Sequence, residues 1–481
     1  MIRILFITFL LPLSIFSQSS YNLSLLGTYD NYNTEGNDIW GWVAPDGSEY
    51  ALVGLNDGFS VVNVTIPSNP TEEFFINDLN STWRDVKTFG NYAYVTTEAD
   101  AGLLIVDLSD MTGNTYYHRT VFNSPNGPST EFTAAHNIYM DENGVAYIFG
   151  ASSNAGGSPS DGVIFLDVVT DPINPIFLGE WSDFYVHDGM ARGDTMYVGC
   201  IYEGDMYVVD VSDKTNPQNL GNVTTPSAFT HNAWVSDNGD FVFTTDEQSD
   251  AYIGSYDISD LNNIQEVDRI QSNPGSNSIP HNTHVDGNFI ITSYYRDGTV
   301  VHDITNPNNL IEVAHYDSSP LSGDGFQGCW GTYPFLPSGN IISSDIDYGS
   351  ITKGRLLVYS RDFLQACYLE GNVSDISNSL PITNATIEII NPNLTIQTNS
   401  DLAGNYMSGI ANSSSYDIIF SAPGYLTDTI NASFTNGNTT IVDAQLQALS
   451  SINISGTVVD INGNGIPNSD VLIYNSTFDF T

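Results

Sequence analysis

Basic residues are scarce in this chain of 481 residues. Lys and Arg number 11 against 56 Asp and Glu, which gives a formal net charge of −45 at pH 7. Because proteins bind nucleic acids by neutralising phosphates with basic side chains, this balance excludes a nucleic-acid partner. It also disfavours anionic lipids and polysaccharides, whereas an acidic surface favours solubility and attracts divalent cations.

Cysteines and long apolar runs are also few. Cys200, Cys329 and Cys367 form no C-x-x-C pair, so their spacing excludes a disulfide scaffold and leaves room for one disulfide. An apolar run from Ile4 to Phe16 follows Arg3 and predicts an export signal over residues 1–17. No later stretch approaches the length of about 18 apolar residues that a membrane span needs. We therefore predict a secreted or cell-surface protein without a transmembrane segment.

A phrase built around histidine recurs four times in the middle of the chain. The copies are Ala135-His136-Asn137, Val186-His187-Asp188, Thr230-His231-Asn232 and Pro280-His281-Asn282. Their histidines are 51, 44 and 50 residues apart, and each phrase leads into three apolar segments, the last of which ends in Asp. A period of about 45–50 residues in a strand-rich chain is typical of a β-propeller with one four-stranded blade per repeat.

Seven such repeats fill residues 21–363, because two blades without the histidine precede the four and one follows them. Asn-Pro pairs close several repeats and mark blade edges, since proline cannot donate to a sheet. The pairs are Asn69-Pro70, Asn174-Pro175, Asn216-Pro217 and Asn306-Pro307. The sequence thus predicts an all-β protein that begins with a seven-bladed propeller.

These residues also resemble a known family. Leu104-Ile105-Val106-Asp107 nearly spells the LVIVD repeat, and the larger pattern resembles the choice-of-anchor B family of exported bacterial proteins. The matching stretches include Asp38-Ile39-Trp40-Gly41-Trp42, Trp83-Arg84-Asp85-Val86-Lys87, Thr133-Ala134-Ala135-His136-Asn137-Ile138, Thr230-His231-Asn232-Ala233-Trp234 and Trp330-Gly331-Thr332-Tyr333-Pro334. The resemblance covers residues 25–363. It implies an LVIVD propeller on an exported or surface protein and brings no established activity.

The composition changes after Phe363. Alternating strands and the turn Asp401-Leu402-Ala403-Gly404-Asn405-Tyr406 make residues 368–447 resemble a carboxypeptidase regulatory-like module, a prealbumin-like β-sandwich. A second copy is predicted over 452–481, where it stops about a third of the way through, so we expect a truncated chain whose attachment signal lies in the missing C-terminal part. Residues 460–465 resemble a calcium-binding loop, but the Glu that ends such a loop is absent. This absence favours a simple turn.

Propeller geometry predicts where the histidines lie. In each blade the first strand lines the central channel and the second runs antiparallel to it, so the start of the first and the end of the second emerge on one face. We therefore expect one channel mouth to carry the residues His136, His187, His231, His281, Arg84, Glu98, Asp246, Glu247 and Asp345. Imidazoles among carboxylates can ligate a transition metal or supply a general base. The four histidines are the candidate metal ligands, and a divalent cation, calcium or a transition metal, is the candidate cofactor.

The same repeated residues have structural interpretations. A histidine at each strand start can tie a loop to the neighbouring blade, and the ring is incomplete because Ile39, Arg84 and Gly331 take the matching positions in blades one, two and seven. Arg84 suits an ion pair with a carboxylate. Five tryptophans near these positions either form a surface on which sugar rings stack or pack between the blades as core residues. They are Trp40, Trp42, Trp83, Trp234 and Trp330. His281 and His284 face opposite sides of a strand and make a poor ligand pair.

Three functions remain open at this stage. Because no G-x-S-x-G, H-E-x-x-H, P-loop or dinucleotide motif is present, no catalytic residue is assigned. The leading hypothesis is a non-enzymatic binding or adhesion protein that presents its propeller on sandwich spacers to a glycan or a surface protein. The alternatives are a metal-assisted hydrolase or lyase acting on an extracellular glycan at the histidine-ringed mouth, and a calcium-dependent structural element of a surface layer.

Overall fold

The fold is made of β-strands. A computed structural model describes residues 20–125, 127–152, 162–348, 352–391, 396–449, 455–471, 473–474 and 479–480. The predicted all-β class is confirmed, since every regular element in these ranges is a strand. Within them no helix is long and apolar enough to cross a membrane. The predicted export signal over residues 1–17 lies outside the described residues.

Six antiparallel sheets each contain four strands that follow one another along the chain, and a seventh takes its fourth strand from the N-terminal part. Two short strands come first: β1 (Ser20–Tyr21) and β2 (Leu23–Tyr29). Sheet 1 contains β3 (Gly36–Val43), β4 (Glu49–Leu55), β5 (Gly58–Asn63) and β6 (Thr71–Asn77). Sheet 2 contains β7 (Val86–Phe89), β8 (Tyr92–Val95), β9 (Leu103–Asp107) and β10 (Tyr116–Arg119), and is followed by the hairpin of β11 (Val121–Phe122) and β12 (Thr130–Glu131).

The next three sheets carry the first three histidine phrases. Sheet 3 contains β13 (Asn137–Met140), β14 (Val145–Phe149), β15 (Val163–Asp167) and β16 (Ile176–Trp181). Sheet 4 contains β17 (Asp188–Arg192), β18 (Thr195–Cys200), β19 (Asp205–Asp210) and β20 (Gln218–Thr224). Sheet 5 contains β21 (Thr230–Val235), β22 (Phe241–Asp246), β23 (Ile253–Asp257) and β24 (Gln265–Ile270).

The last two sheets are joined to the start of the chain. Sheet 6 contains β25 (Thr283–Asp286), β26 (Phe289–Tyr294), β27 (Gly298–Asp303) and β28 (Ile311–Tyr316), and β1 pairs with β28 at its edge. Sheet 7 contains β29 (Cys329–Tyr333), β30 (Ile341–Asp345) and β31 (Arg355–Arg361), and its fourth strand is β2. The linear series of repeats in the sequence does not predict this pairing of the N-terminal strand with the last sheet.

The first strands of the seven sheets form a closed ring. Each contacts the first strand of the next sheet in the order β3, β7, β13, β17, β21, β25 and β29, and β29 contacts β3 again. The sheets are therefore the blades of a propeller. Apolar side chains fill the spaces between neighbouring blades; one cluster joins Leu52 and Phe59 of sheet 1 to Val95 and Leu104 of sheet 2.

The Asp that ends the third strand of most blades has a local structural role. Its carboxylate accepts a hydrogen bond from the backbone N–H two residues later, which starts the turn toward the fourth strand. The five instances are Asp107 with Ser109, Asp167 with Val169, Asp210 with Ser212, Asp257 with Ser259 and Asp303 with Thr305. Three of the four Asn-Pro pairs lie immediately before a fourth strand, so they mark the outer blade edge as predicted.

Two further sheets follow the propeller. Their strands are β32 (Cys367–Asp375), β33 (Thr386–Ile390), β34 (Ile396–Asn399), β35 (Asn405–Ile410), β36 (Ser415–Ser421), β37 (Asp428–Ser433), β38 (Thr439–Ile441) and β39 (Ala444–Leu446). One sheet has the order β35-β32-β38 with β39 also on β32, and the other has the order β34-β33-β36-β37. By contacts the chain separates into a unit of Met1–Glu370, Met407–Tyr416 and Ala432–Ile441 and a unit of Gly371–Tyr406, Asp417–Asn431 and Val442–Thr481.

The last described residues form small hairpins. Val459 and Gly465 make an isolated bridge around a turn in which Asp460 accepts the backbone N–H groups of Asn462 and Asn464, as expected for a turn. β40 (Ile473–Tyr474) pairs with β41 (Asp479–Phe480). A second regulatory-like module over 452–481 stays a prediction. The three cysteines are free and buried.

We expect the closure strand β2 to stabilise the whole disc. Leu23 is 2% exposed and packs with Val301 and Leu357 of sheets 6 and 7, whereas Leu25 on the same strand is 39% exposed. Leu23→Ala should lower the free energy of unfolding by about 2–4 kcal/mol, the usual range for a buried leucine. Urea denaturation measures this change, and Leu25→Ala is the matched control. Equal losses in the two variants would contradict this role for β2.

Acid sensitivity is predicted at His302, which is fully buried in sheet 6. Neither of its ring nitrogens has a hydrogen-bond partner among the described residues, and burial lowers its pKa to about 4. The unfolded chain, with a pKa near 6.5, binds the proton first, so this group destabilises the fold as the pH falls below about 6.5. The His302→Leu variant should gain about 2 kcal/mol relative to wild type between pH 7 and pH 5. Parallel pH–stability curves for the two proteins would refute it.

Candidate metal centre

Four histidine side chains from four consecutive blades meet at one end of the ring of first strands. His136 and His187 directly precede β13 and β17, His231 lies in β21, and His281 precedes β25. Their ring centroids are 3.8 Å apart for His136 and His187, 4.4 Å for His187 and His231, and 4.5 Å for His231 and His281. All four residues are buried. The predicted convergence of the histidines is thus present in the structure.

Two overlapping groups in this cluster have the spacing of metal ligands. His136, His187 and His231 form one group and His231, Glu247 and His281 the other; in each, one ligand atom per residue lies within 4.8 Å of the others. Nε2 of His231 is 3.6 Å and Nε2 of His281 is 3.9 Å from the Glu247 carboxylate. Both distances are too long for a hydrogen bond. They are near the separation of about 3.4 Å between two ligands on one tetrahedral ion with bonds of about 2.1 Å.

The outer nitrogen of three imidazoles is already engaged. Nδ1 of His136 is 2.7 Å from Glu98 Oε1, Nδ1 of His187 is 3.0 Å from the Tyr185 hydroxyl, and Nδ1 of His281 is 2.6 Å from the Trp330 carbonyl oxygen. A carboxylate or carbonyl acceptor on Nδ1 fixes the proton there and leaves the Nε2 lone pair free to bind a metal. Nδ1 of His231 has no hydrogen-bond partner among the described residues; Asn282 and the backbone of His281 are the polar groups that raise its pKa.

Three of the four imidazoles, those of His187, His231 and His281, are uncharged at neutral pH. Burial lowers the pKa values of His187 and His231 well below the ordinary value, and the neighbouring imidazoles add to the effect. Burial also lowers the pKa of His281 to about 4. A metal binds the neutral form of histidine, so these side chains need not lose a proton first.

Glu247 is held beside His231 and His281 by Tyr295, whose hydroxyl donates to Glu247 Oε1. Burial raises the pKa of Glu247 to about 7, and burial together with the Glu247 charge raises the pKa of Tyr295 well above its ordinary value. A carboxylate with a pKa near neutrality, next to a group of imidazoles, can act either as a fifth ligand or as a base.

Two tryptophans complete the circle that the histidines begin. Trp330 of sheet 7 lies 4.8 Å from His281, and Trp83, just before sheet 2, lies 6.4 Å from both Trp330 and His136, between ring centroids. We call these six residues, His136, His187, His231, His281, Trp330 and Trp83, the mouth ring. The nitrogen ligands occupy one arc of it and the indoles the other.

A charged layer lies beside the mouth ring along the axis. Lys87 Nζ is 2.8 Å from Asp85 Oδ1 and 3.2 Å from Asp38 Oδ2, and all three side chains are buried or nearly so. Burial acts to lower the pKa of Lys87, but the charges of Asp38 and Asp85 outweigh it and raise the value. Burial and the neighbouring Asp38 raise the pKa of Asp85 well above the usual range, and burial raises that of Asp188 to about 6.

Aromatic side chains fill another part of the axis. Trp234 of sheet 5 contacts Tyr139 of sheet 3 and His284 of sheet 6, and Trp40 of sheet 1 contacts His284 and Tyr333 of sheet 7. Lys87 lies over the Trp40 ring at 4.5 Å. His284 therefore belongs to this packed layer, in agreement with the prediction that it does not pair with His281 as a ligand.

Three of the proposed mouth residues serve other contacts. Arg84 is fully buried; it forms an ion pair of 2.8 Å with Asp78 and donates to the carbonyl oxygens of Leu55 and Leu79. Asp246 accepts from the Thr225 hydroxyl and the Ser227 N–H. Asp345 accepts from Ser318 and from Arg355 Nε. The structure does not bring these three into the metal-ligand groups, whereas Glu98 and Glu247 join the histidines.

One alignment in the sequence analysis was wrong. Gly331 lies opposite Ser344 in sheet 7, as Asn232 lies opposite Thr245 in sheet 5, so Trp330 and not Gly331 takes the histidine position. Ile39 is part of an apolar core cluster. Both β21 and β29 carry a bulge at this point, so the pairing with the second strand, which the sequence does not show, identifies the equivalent residues.

Several participants could not be found from the repeat pattern. Tyr295 and the Trp330 carbonyl hold Glu247 and His281 from neighbouring blades, and only the circular arrangement brings them close. Tyr185 lies two residues before the ligand that it contacts, His187. Lys87 was visible as a rare basic residue in a strand, and its burial beside Asp38 follows from the contact between β3 and β7.

Comparison with known families supports this organisation. Residues 82–115, which contain the first three strands of sheet 2, and residues 188–225, which contain sheet 4, match the LVIVD repeat. Residues 368–447 match the carboxypeptidase regulatory-like domain. The chain carries LVIVD repeats. The suspected combination of LVIVD repeats with a C-terminal β-sandwich domain of the regulatory-like type is thus confirmed, whereas the choice-of-anchor B assignment stays a prediction. Both kinds of domain are typical of extracellular or surface proteins.

Among solved structures the chain is similar to the crystal structure of the Myceliophteria thermophila Cps50 (Swd1) beta-propeller domain. The two are 9% identical with a TM-score of 0.46, and the similarity covers 70% of this chain and 99% of that chain. No curated protein matches the sequence.

The buried ion pair around Lys87 predicts a large effect on stability. Lys87→Met should lower the free energy of unfolding by about 3–5 kcal/mol, because it leaves the buried Asp38 charge uncompensated. Urea denaturation at pH 7 measures the loss. Lys353→Met, at an exposed lysine that donates to the Asn33 side chain, is the control and should change little. The double variant Asp38→Asn/Lys87→Met should recover part of the loss, and a failure to recover would contradict the charge argument.

Proposed function

We propose that this protein is a secreted or cell-surface binding protein whose propeller holds a divalent transition metal at the mouth ring. The observation that carries the proposal is the convergence of four buried imidazoles, three of them with Nδ1 already hydrogen-bonded to an outer partner. Such an outer partner is the usual accompaniment of a histidine that binds a metal.

Structural tethering explains part of the same geometry. The contacts of His136 with Glu98 and of His281 with Trp330 join neighbouring blades, so these two histidines have a tethering role. Tethering does not require four imidazoles to lie side by side, nor a carboxylate to lie beside two of them. Metal binding accounts for both features, because the tether orients the ring and the free nitrogen faces the ion.

The donor set favours a transition metal over calcium. Imidazole nitrogen suits zinc, copper, iron and nickel, whereas calcium takes six to eight oxygen ligands. Glu247 and Glu98 are the carboxylates that contact these histidines in the described residues. The ligands at this mouth therefore favour a transition-metal site over a calcium-dependent structural element of a surface layer.

The modular layout supports a role outside the cell. A propeller followed by a regulatory-like β-sandwich suits a binding disc held on a spacer, and the export signal predicted over residues 1–17 agrees with it. Nothing in the mouth requires catalysis. Metal-assisted hydrolysis of a glycan is the second candidate, and the position of Glu247, a buried carboxylate beside His231 and His281, is what favours it.

Metal analysis of the full chain, purified without a polyhistidine tag, tests the proposal. We expect about one equivalent of a transition metal by elemental mass spectrometry, and we expect the His187→Ala/His231→Ala variant to lose it. Added metal should raise the melting temperature of the wild type, because a ligand at 100 times its Kd stabilises the fold by about 2.7 kcal/mol.

The control is His118→Ala, at a partly exposed histidine on β10 that lies outside the mouth ring. It should retain both the metal and the thermal shift. A wild type that binds no transition metal, together with a double variant that only loses thermal stability, would refute the metal centre and leave tethering as the role of the histidines.

A further inference from the structure

We infer that the metal centre is open toward solvent and accepts a neutral ligand with adjacent hydroxyl groups and a flat apolar face, the chemistry shared by sugars and catechols. This inference rests on the proposed function, because the hydroxyl oxygens would complete the coordination of the bound ion. It adds to that function the class of molecule which the mouth recognises.

The protein donors lie on one side of the site. The histidines come from sheets 3 to 6, while the arc formed by sheets 7 and 2 presents the carbon faces of Trp330 and Trp83. Glu98, which is hydrogen-bonded to His136, keeps 44% of its side chain exposed. Solvent therefore reaches to within one hydrogen bond of the ligand arc, and an ion held there retains positions for an outside donor.

Exposed aromatic side chains continue outward from the mouth ring. Tyr202 is 74% exposed and lies 4.9 Å from Tyr185, which contacts His187. Phe326 is 52% exposed and lies 5.2 Å from Tyr295, which contacts His281. Trp83, in the ring itself, is 39% exposed. Large exposed aromatic rings gathered around one site are typical of a binding surface.

The charge of the mouth decides between classes of ligand. Glu98 and Glu203 are exposed at the ends of sheets 2 and 4, Glu247 lies beside His231 and His281, and the whole chain carries a net charge of −45. Anionic ligands such as sialic acid or phosphates would meet this field and be repelled. A neutral molecule gains the aromatic contacts without that cost, and its hydroxyl oxygens can reach the cation.

Binding measurements on the metal-loaded full chain test the inference. The probes are methyl mannoside, methyl fucoside and catechol as neutral ligands, with N-acetylneuraminic acid as the anionic comparison, followed by isothermal titration calorimetry. We expect at least one neutral probe to bind, and to bind about tenfold more weakly after removal of the metal. Tyr202→Ala and Phe326→Ala should each weaken it by about fivefold or more.

The matched control is Tyr116→Ala, at a tyrosine that is 42% exposed on the outer strand β10. It should leave the affinity unchanged. Binding of the glycosides alone would assign the site to glycans, and binding of catechol alone would assign it to phenolic compounds; both outcomes support the inference.

Other outcomes separate the two proposals. The inferred ligand class would be wrong if the protein holds its metal but binds none of the neutral probes. It would also be wrong if the probes bind equally well after Tyr202→Ala and Phe326→Ala. Neither result would contradict the metal centre itself. Preference for N-acetylneuraminic acid would also overturn the inferred ligand class. A protein without metal would overturn the proposed function and this inference with it.

Discussion

The contact between the last sheet and the first constrains the rest of the propeller. Seven twisted sheets leave an open edge unless the ring closes, and here β2 closes it by pairing with β31, while β29 contacts β3. Closure brings the first strands of all seven sheets to one axis. The histidines, the Lys87 cluster and the aromatic layer each draw residues from several blades, so none of them would assemble without that closure.

The axis places groups of different chemistry next to one another. The buried charged side chains near the axis are stabilised by pairing. Lys87 contacts Asp38 and Asp85, and the Trp40 ring lies against the Lys87 ammonium group. Burial keeps the imidazoles of His187, His231 and His281 neutral. A dication added at the mouth ring would lie close to the carboxyl groups of Glu247 and Glu98. The layout thus suits a bound cation better than an anion.

The histidines combine two roles that are usually argued as alternatives. Nδ1 of His136 and of His281 joins one blade to the next, and the same bonds hold the rings in the orientation that lets the other nitrogen face the cluster. A repeat that keeps a histidine for a structural bond therefore also supplies preoriented ligands. Four blades in succession give an arc, and the remaining blades give Trp330 and Trp83 in its place.

By itself, the sequence determined the strands, the repeat and the face on which the histidines lie. These follow from local rules, because the alternation of apolar residues, the Asp turn after Asp107 or Asp210 and the His-to-His spacing are all visible within one repeat. It also singled out Glu98 and Glu247 as ends of second strands. Only the tertiary structure decided that β2 completes the last sheet, that Asp246 and Asp345 are occupied elsewhere, and that Tyr295 and Trp330 hold the ligands. Those contacts join residues far apart in the chain, and their distances are fixed by the closure of the ring and by bulges that shift the register, neither of which a linear pattern of residues encodes.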